Sequence, residues 1–465
     1  MAARLVNIDR STPMLLPPDL RDWVREDDLV HFVLDAVEAL PLTQFRINTR
    51  GTGSEQYPPR MLLALLIYSY ATGTFSSRQI EAHTYVHVAV RYPCANTRPD
   101  HDTICTFRRQ NKALLQETFV RVLELAAELK LMRVGTVAID GTKVLANASK
   151  HSAVSYQRAG EMIAELNLEV TQLLDKAEAA DTTPLQDGLS IPEEIARRQK
   201  RKARLEEARR IIEDRAKERA QAEAPKHQAK LEARKAKAER GEKMDGRPRA
   251  PPDPTPGPKE QYNFTDPESR IMKAGTGGHF EQTYNAQAAV EAESMLIVGQ
   301  RVSQAPNDKE QMVPTLESIP AEIGHPESVL VDSGFYSELA TRTVEDGVDG
   351  VASGTTVFAA MGRHSHHRSV ADLEARPEPT APPAGASVAE VMAYRLKSAA
   401  GRQLYRLRKQ TVEPVFGIIK EALGFRRFLM RGLEKVSLEW TLVSLAWNFK
   451  RLATLGMGAK LAAKG

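Results

Sequence analysis

Four charged residues from three distant parts of this chain have the types and settings that phosphate chemistry needs. Glu413 and Lys420, in Thr411-Val-Glu-Pro-Val-Phe-Gly-Ile-Ile-Lys420, are seven residues apart. That is almost two turns, so a helix there sets both on one face. A carboxylate and an ammonium stacked in this way suit a site that takes a metal ion and a phosphate together. A plain surface charge pair fits the same spacing. Far upstream, Val134-Gly-Thr-Val-Ala-Ile-Asp140 and Ser328-Val-Leu-Val-Asp332 are short β-branched runs that each end in an aspartate. Each reads as a buried strand with its acid at the exposed end, although Asp140-Gly141 and Asp332-Ser-Gly334 would also serve as simple turns. Taken jointly, two such strands ahead of a helical glutamate favour a site. Three carboxylates on rigid elements can hold two divalent ions about 3.5–4 Å apart and leave positions open for phosphate and water. Asp140 would bridge both ions, with Asp332 and Glu413 each completing one. Oxygen ligands favour Mg²⁺, with Mn²⁺ substituting, over zinc.

The elements that must position these residues follow from the spacing of apolar and turn residues. Residues 1–130 read as helical. Pro58-Pro59 opens a run in which Leu62, Leu65, Leu66 and Ser69 keep helical spacing until Gly73. Ser76-Ser-Arg-Gln79 has the form of a capping box for a second helix. Asp102-Thr103 can cap a third, which carries Phe107, Arg108 and Arg109 and continues through Leu114, Phe119, Val122 and Leu125. Such short helices suit a helix-turn-helix DNA reader or a small bundle, and periodicity by itself favours the bundle. After the first strand, Ile163, Leu166, Val170, Leu173 and Ala177 form a coiled-coil stripe, and a basic stretch reads as a return helix interrupted at Pro225. Residues 246–258 are an extended Pro-rich linker. Residues 282–290 and 295–302 read as an antiparallel hairpin, 308–323 as a helix, and Gly334 permits a sharp exit after Asp332. Helix begins again at about Val412 and runs further through Trp440 to Leu452. The order predicts an α/β fold whose mixed sheet has three antiparallel strands followed by parallel ones.

Composition sets outer bounds. A chain of 465 residues with 42% hydrophobic content can bury a sizeable core in two or three domains. Cys94 and Cys105 have no ligand-spaced partners, which argues against a disulfide framework or a zinc site. The longest apolar run, 61–71, is too short for a bilayer and no export signal follows Met1, so a cytoplasmic protein with no membrane partner is expected. Net charge is only +4, yet residues 197–243 hold 18 Lys/Arg against 9 Asp/Glu. Such a helix can follow a phosphate backbone or be the solvated face of a coiled coil. His364, His366 and His367 invite a metal reading, but Gly362 and polar neighbours favour a loop, and they are given no role.

A longer set of motifs occurs in one order. It comprises Tyr57-Pro-Pro-Arg60, Ser76-Ser-Arg-Gln-Ile-Glu81, Pro99-Asp-His-Asp-Thr-Ile104 with Phe107-Arg108, Ile139-Asp-Gly-Thr-Lys143 with Ala146-Asn-Ala-Ser149, and Asp266-Pro-Glu-Ser-Arg270. It continues with Tyr284-Asn-Ala-Gln287, Asn307-Asp308, Val331-Asp-Ser-Gly-Phe-Tyr336, Tyr405, Arg408-Lys409, Glu413-Pro-Val-Phe-Gly417, Lys420, and Trp440 to Asn448. In that combination the chain resembles, over nearly its whole length, the DDE transposases of bacterial insertion sequences. The likeness is greatest to the insertion sequence eleven-eighty-two type, in the group with a Tyr-Arg-Glu-Lys signature.

The resemblance implies an RNase H-like mixed-sheet catalytic core. Its expected divisions are a helical DNA-end recognition domain (1–130), the first catalytic strand (131–155), a helical, basic coiled-coil insertion (156–245), a Pro-rich linker (246–265), the rest of the catalytic domain (266–452) and a tail (453–465). It implies that Asp140, Asp332 and Glu413 are the catalytic triad and the ligands of Mg²⁺ or Mn²⁺. Tyr405, Arg408 and Lys420 would grip DNA near the scissile phosphate, with Lys143 beside them, and Arg78, Arg108 and Arg109 are candidate contacts to terminal inverted repeats. Four residues separate Arg408 from Glu413 where the wider signature has three, so Lys409 holds that register and either side chain is a candidate phosphate contact. The implied activity is metal-dependent cleavage of double-stranded DNA at inverted repeats and transfer to target DNA, by a homodimer on DNA in the nucleoid. A nuclease of the same core without strand transfer, or a catalytically silent DNA-binding regulator, are the alternatives.

Overall fold

The computed structural model describes residues 19–46, 55–180, 190–241, 246–247, 250–274, 278–347, 354–362, 378–383 and 385–464. His364, His366 and His367 lie outside the described residues. The chain divides into two compact units, one of Met1–Val144 with Tyr284–Gly465 and one of Leu145–Thr283. The N-terminal helices, expected as a domain of their own, therefore share a unit with the sheet.

The first unit begins with helices α1 (Leu29–Ala39), α2 (Pro59–Ala71), α3 (Ser77–Val86), α4 (Val88–Arg91), α5 (His101–Gln110) and α6 (Lys112–Glu128). Helix α2 is apolar all round and buried from Leu62 to Ala71, as such a sequence requires. Three local expectations change. Ser76 starts α3 but makes no side-chain capping bond. Asp100, not Asp102, caps α5, because its extended backbone places the carboxylate 2.8 Å from the Thr103 N–H. One long helix through Leu125 is in fact two. At Asn111 (φ −104°, ψ 44°) the side-chain amide donates to the Phe107 carbonyl and ends α5.

Strand β1 (Thr136–Leu145) leads out of this unit. The second unit contains β2 (Ala153–Ser155), α7 (Tyr156–Ala180), α8 (Ile191–Glu239), β3 (Gln261–Asn263) and β4 (Arg270–Ala274). Its core is Val154, Ala159, Leu166, Leu205 and Ala208, with Tyr262 and Phe264 against them, so the α7 stripe is covered by α8. Pro225 does not end α8, which runs through it. An exposed helix loses one backbone hydrogen bond there and water can satisfy the freed carbonyl.

Strand β5 (His279–Glu291) carries the chain back to the first unit. There follow β6 (Ile297–Ser303), α9 (Met312–Leu316), β7 (Ser328–Val331), α10 (Glu338–Asp346), β8 (Thr356–Ala359), α11 (Val388–Lys397), α12 (Ala399–Gly417), α13 (Leu433–Thr454) and α14 (Met457–Lys464). The helix expected over 308–323 shrinks to α9 and one 3₁₀ turn, Ala321–Ile323, with Pro320 between them. Strands β6 and β5 pair antiparallel, β5 lies beside β1, and β1, β7 and β8 are parallel, which is the expected mixed order. Helix α13 is tied to the β5–β6 hairpin by side chains. Trp440 donates to the Gln287 carbonyl, Trp447 donates to that of Met295, and Asn448 exchanges two bonds with Ile297.

Arg108, a candidate DNA contact, is instead buried in this unit. Its guanidinium donates to the Tyr70 hydroxyl and the Phe75 carbonyl and lies 4.0 Å from the fully buried Glu439, which also accepts from the N–H groups of Leu429 and Met430. Removing one partner of a buried pair leaves the other uncompensated. Arg108→Met should therefore lower stability by about 3–5 kcal/mol, while Arg109→Met on the surface should change it by less than about 0.5 kcal/mol. Urea unfolding measures both, and equal small effects would show that the pair is not structural.

Candidate functional site

Val137, Ala138 and Ile139 on β1 and Val329, Leu330 and Val331 on β7 are all fully buried, as in parallel strands covered on both faces. Thr136 pairs with Ser328 and Ala138 with Leu330. The same register sets Asp140 opposite Asp332, the first residue past β7. Asp140 is thus not at the end of its strand as expected. Strand β1 continues beside β5 to Leu145, and it is β7 that stops. Asp140 lies beside that stop, with its side chain 21% exposed. Asp332 also makes the turn that its sequence suggested, since its carboxylate accepts from the Gly334 N–H at 2.7 Å. The turn and the site are compatible.

Helix α12 completes the cluster. The Tyr405 hydroxyl donates to the Val331 carbonyl at 2.9 Å and so pins the end of β7 next to Asp332. One turn later the Arg408 guanidinium lies 3.8 Å from Asp140 and 3.2 Å from Glu413. Its side chain is 11% exposed, and its Nε is buried without a hydrogen-bond partner. Lys409 is exposed, so Arg408 is the one of the two that faces the carboxylates. Glu413 and Lys420 do not pair. After Gly417 the helix widens into a π turn, Ile418–Ala422, closed by the Leu423 N–H on the Ile418 carbonyl at 2.9 Å. Within that turn, Lys420 donates to the Lys143 carbonyl of β1 at 2.8 Å. Wide turns of this kind often occur at functional sites.

Burial dominates the electrostatics. It pushes the Asp140 carboxyl up to about 7, the nearby Asp332 adds to the rise, and the Gly141 N–H and Arg408 oppose it. Burial likewise raises Tyr405 and lowers Lys420.

Lys143, expected on DNA, is turned elsewhere. Its ammonium is enclosed, has no hydrogen-bond partner and lies 3.6 Å from Asp308. The same Asp308 oxygen accepts from Asn285 and Gln287, both at 2.7 Å. A Cβ on Gly141 would come within 2.3 Å of Gln287 and 2.6 Å of Asp308, so this polar group is packed directly under the residue that follows Asp140. Asp308 is the site residue that spacing missed. The available signal was two amides, Asn285 and Gln287, on one face of a strand that is buried from Gln282 to Glu291, where they require a polar partner. Of the remaining candidates, Arg78 and Arg109 are exposed and Arg108 is not.

Among the described residues no three His, Cys, Asp or Glu side chains stand close enough together to hold a metal ion. Asp140 and Asp332 are adjacent, and Arg408 lies between Asp140 and Glu413. The donor chemistry still fits a hard divalent cation. All the donors are carboxylate oxygens, Asp140 is under-compensated, and a cationic group already bridges the two that are apart.

Two segments match family models. Residues 18–110 match a transposase domain (DUF772), and residues 378–453 match a transposase DDE domain. The second segment contains Tyr405, Arg408, Glu413 and Lys420, whereas Asp140 and Asp332 lie outside both. No curated protein and no solved structure matches the chain. Both matches point to a transposase, and the second to one of the DDE kind. Among the described residues no helix is long and apolar enough to cross a membrane.

The raised Asp140 value has a sign that can be measured. The folded state holds this proton more tightly than the unfolded state, so metal-free stability should fall as pH rises from about 4 to about 7 and level off above. Asp140→Asn should remove that fall and be the more stable protein at pH about 8, by on the order of 3–4 kcal/mol at most. Urea midpoints in chelator across this range test it. Parallel pH curves for the two proteins would contradict it.

Proposed function

We propose that this chain is a DDE transposase of the insertion sequence eleven-eighty-two type, with an RNase H-like core. It cuts double-stranded DNA at the terminal inverted repeats of its element and joins the ends to target DNA. The observation that carries this reading is the in-register placement of Asp140 and Asp332, with Glu413 linked to Asp140 through Arg408. Asp140, Asp332 and Glu413 would hold Mg²⁺, with Mn²⁺ substituting. Bound there, divalent ions supply a Lewis acid for the phosphodiester and an activated water or 3′ hydroxyl.

The chain's own residues account for the rest. Tyr405 fixes the end of β7 and with it the position of Asp332. In the free protein Arg408 balances two carboxylates that would otherwise repel, and it becomes available to a phosphate oxygen once another cation balances them. Lys420 anchors the π turn to β1 through one N–H, leaving two donors for a DNA phosphate. Lys409, Arg78 and Arg109 are exposed cations suited to backbone contacts. A homodimer on DNA would bring two such sites to the two ends of one element, in the cytoplasm at the nucleoid.

The test uses purified protein, Mg²⁺ or Mn²⁺, and labelled duplexes carrying the inverted repeats that flank the gene. Asp140→Asn, Asp332→Asn and Glu413→Gln should each abolish cleavage while DNA binding persists. Full cleavage by any one of them removes that residue from the triad. Cleavage by the wild type without joined product identifies a nuclease, and binding without nicking in Mn²⁺ identifies a silent regulator.

A further inference from the structure

The chain between the π turn and α13, Leu423-Gly-Phe-Arg-Arg-Phe-Leu-Met-Arg-Gly432, holds three arginines and no acid. Gly424 (φ 81°) and Gly432 (φ 83°) bound it, in a backbone region that residues with a Cβ rarely adopt. Between them the apolar side chains turn inward, and Phe425, Phe428 and Met430 are buried. Phe425 meets Phe75 and Phe428 edge-on, at 5.0 and 5.4 Å between ring centroids, and Phe428 meets Tyr284 at 5.9 Å. The N–H groups of Leu429 and Met430 donate to Glu439, the buried acid that faces Arg108. A loop anchored at so many points has its shape before anything binds, so binding costs it little further ordering.

Arg426 and Arg427, between the two anchoring phenylalanines, are exposed. Their surroundings differ. Arg426 ties the loop to the π turn, since its guanidinium pairs with Glu421 and its Nε donates to the Lys420 carbonyl at 3.3 Å. Among the described residues no hydrogen bond or ion pair holds the Arg427 side chain.

The neighbouring charges are mostly of one sign. Burial above all lowers the Lys420 ammonium, Glu421 opposes this, and Lys143 and Arg426 lower it further. Cations this close disfavour one another, and an anion laid across them removes the cost. A protein partner is a poorer occupant. Leu429, 37% exposed, is the one large apolar side chain the loop shows to solvent, and a stable interface takes about 800 Å² from each partner.

We propose that residues 424–431 form a preformed phosphate-contact surface continuous with Lys420, in which Arg427 donates to a backbone phosphate of bound DNA and Arg426 braces the loop against the π turn. The proposal rests on the reading that the chain works on DNA, and it gives Arg427 no part in holding metal. The test uses full-length wild type, Arg427→Gln and Arg427→Lys in chelator. The probes are two fluorescent duplexes, one with the inverted repeats that flank the gene and one of arbitrary sequence, each titrated between about 50 and 200 mM salt.

One phosphate contact contributes about 0.9 to the slope of log affinity against log salt. Across that fourfold range Arg427→Gln should lose about 3.5-fold less affinity than the wild type, equally on both duplexes. Arg427→Lys should keep the wild-type slope. Because the side chain is exposed, the circular dichroism spectrum and urea midpoint of Arg427→Gln should not change. Equal slopes for Arg427→Gln and wild type overturn the proposal and leave the transposase reading intact. A loss confined to the repeat-bearing duplex also overturns it, because the loop then reads bases. Lost self-association in sedimentation at an unchanged slope makes a second copy the occupant instead. A wild type that binds neither duplex at low salt removes both readings.

Discussion

The site depends on one pairing, the parallel alignment of β1 and β7. Val137 to Ile139 and Val329 to Val331 are buried on both faces of the sheet around it. From that alignment it follows that two aspartates 192 residues apart in the chain lie side by side. The early stop of β7 then exposes them together. Tyr405 reinforces the same point by bonding to the last carbonyl of β7, so one helix both closes the strand end and delivers Arg408 and Glu413.

Two acids held in this way carry an electrostatic cost that their surroundings offset only in part. Arg408 lies between Asp140 and Glu413, and burial still leaves the Asp140 carboxyl near 7. A group balanced between charged and neutral at ordinary pH responds strongly to any added cation. On the other side of the strand, Asp308 with Asn285, Gln287 and Lys143 packs against Gly141 and holds the backbone that carries Asp140. The carboxylates are therefore supported from below by a polar group and from the front by an arginine.

The strands and their order were legible because runs such as Val134 to Asp140 and Ser328 to Asp332 are short, β-branched and bounded by glycine. Their acids were legible too, but not the register that makes them neighbours, since pairing partners lie far apart in the chain. Arg108 was misread because spacing along its own helix does not show that Glu439, from a helix far along the chain, will meet it. The Glu413–Lys420 stack failed for a different reason. Its seven-residue spacing assumes a uniform α-helix, and the π turn after Gly417 sends Lys420 to the Lys143 carbonyl instead. Asp308 stayed hidden because its partners are amides whose role appears only when the strands are paired.

The most direct test of the account is calorimetric titration of the protein with Mn²⁺ near pH 7, in buffers of different ionisation enthalpy, for the wild type and Asp140→Asn. If Asp140 is the half-protonated ligand described here, Mn²⁺ binding releases a fraction of a proton from the wild type, and Asp140→Asn loses both that release and most of the affinity. Binding without proton release, or equal binding by Asp140→Asn, would contradict it.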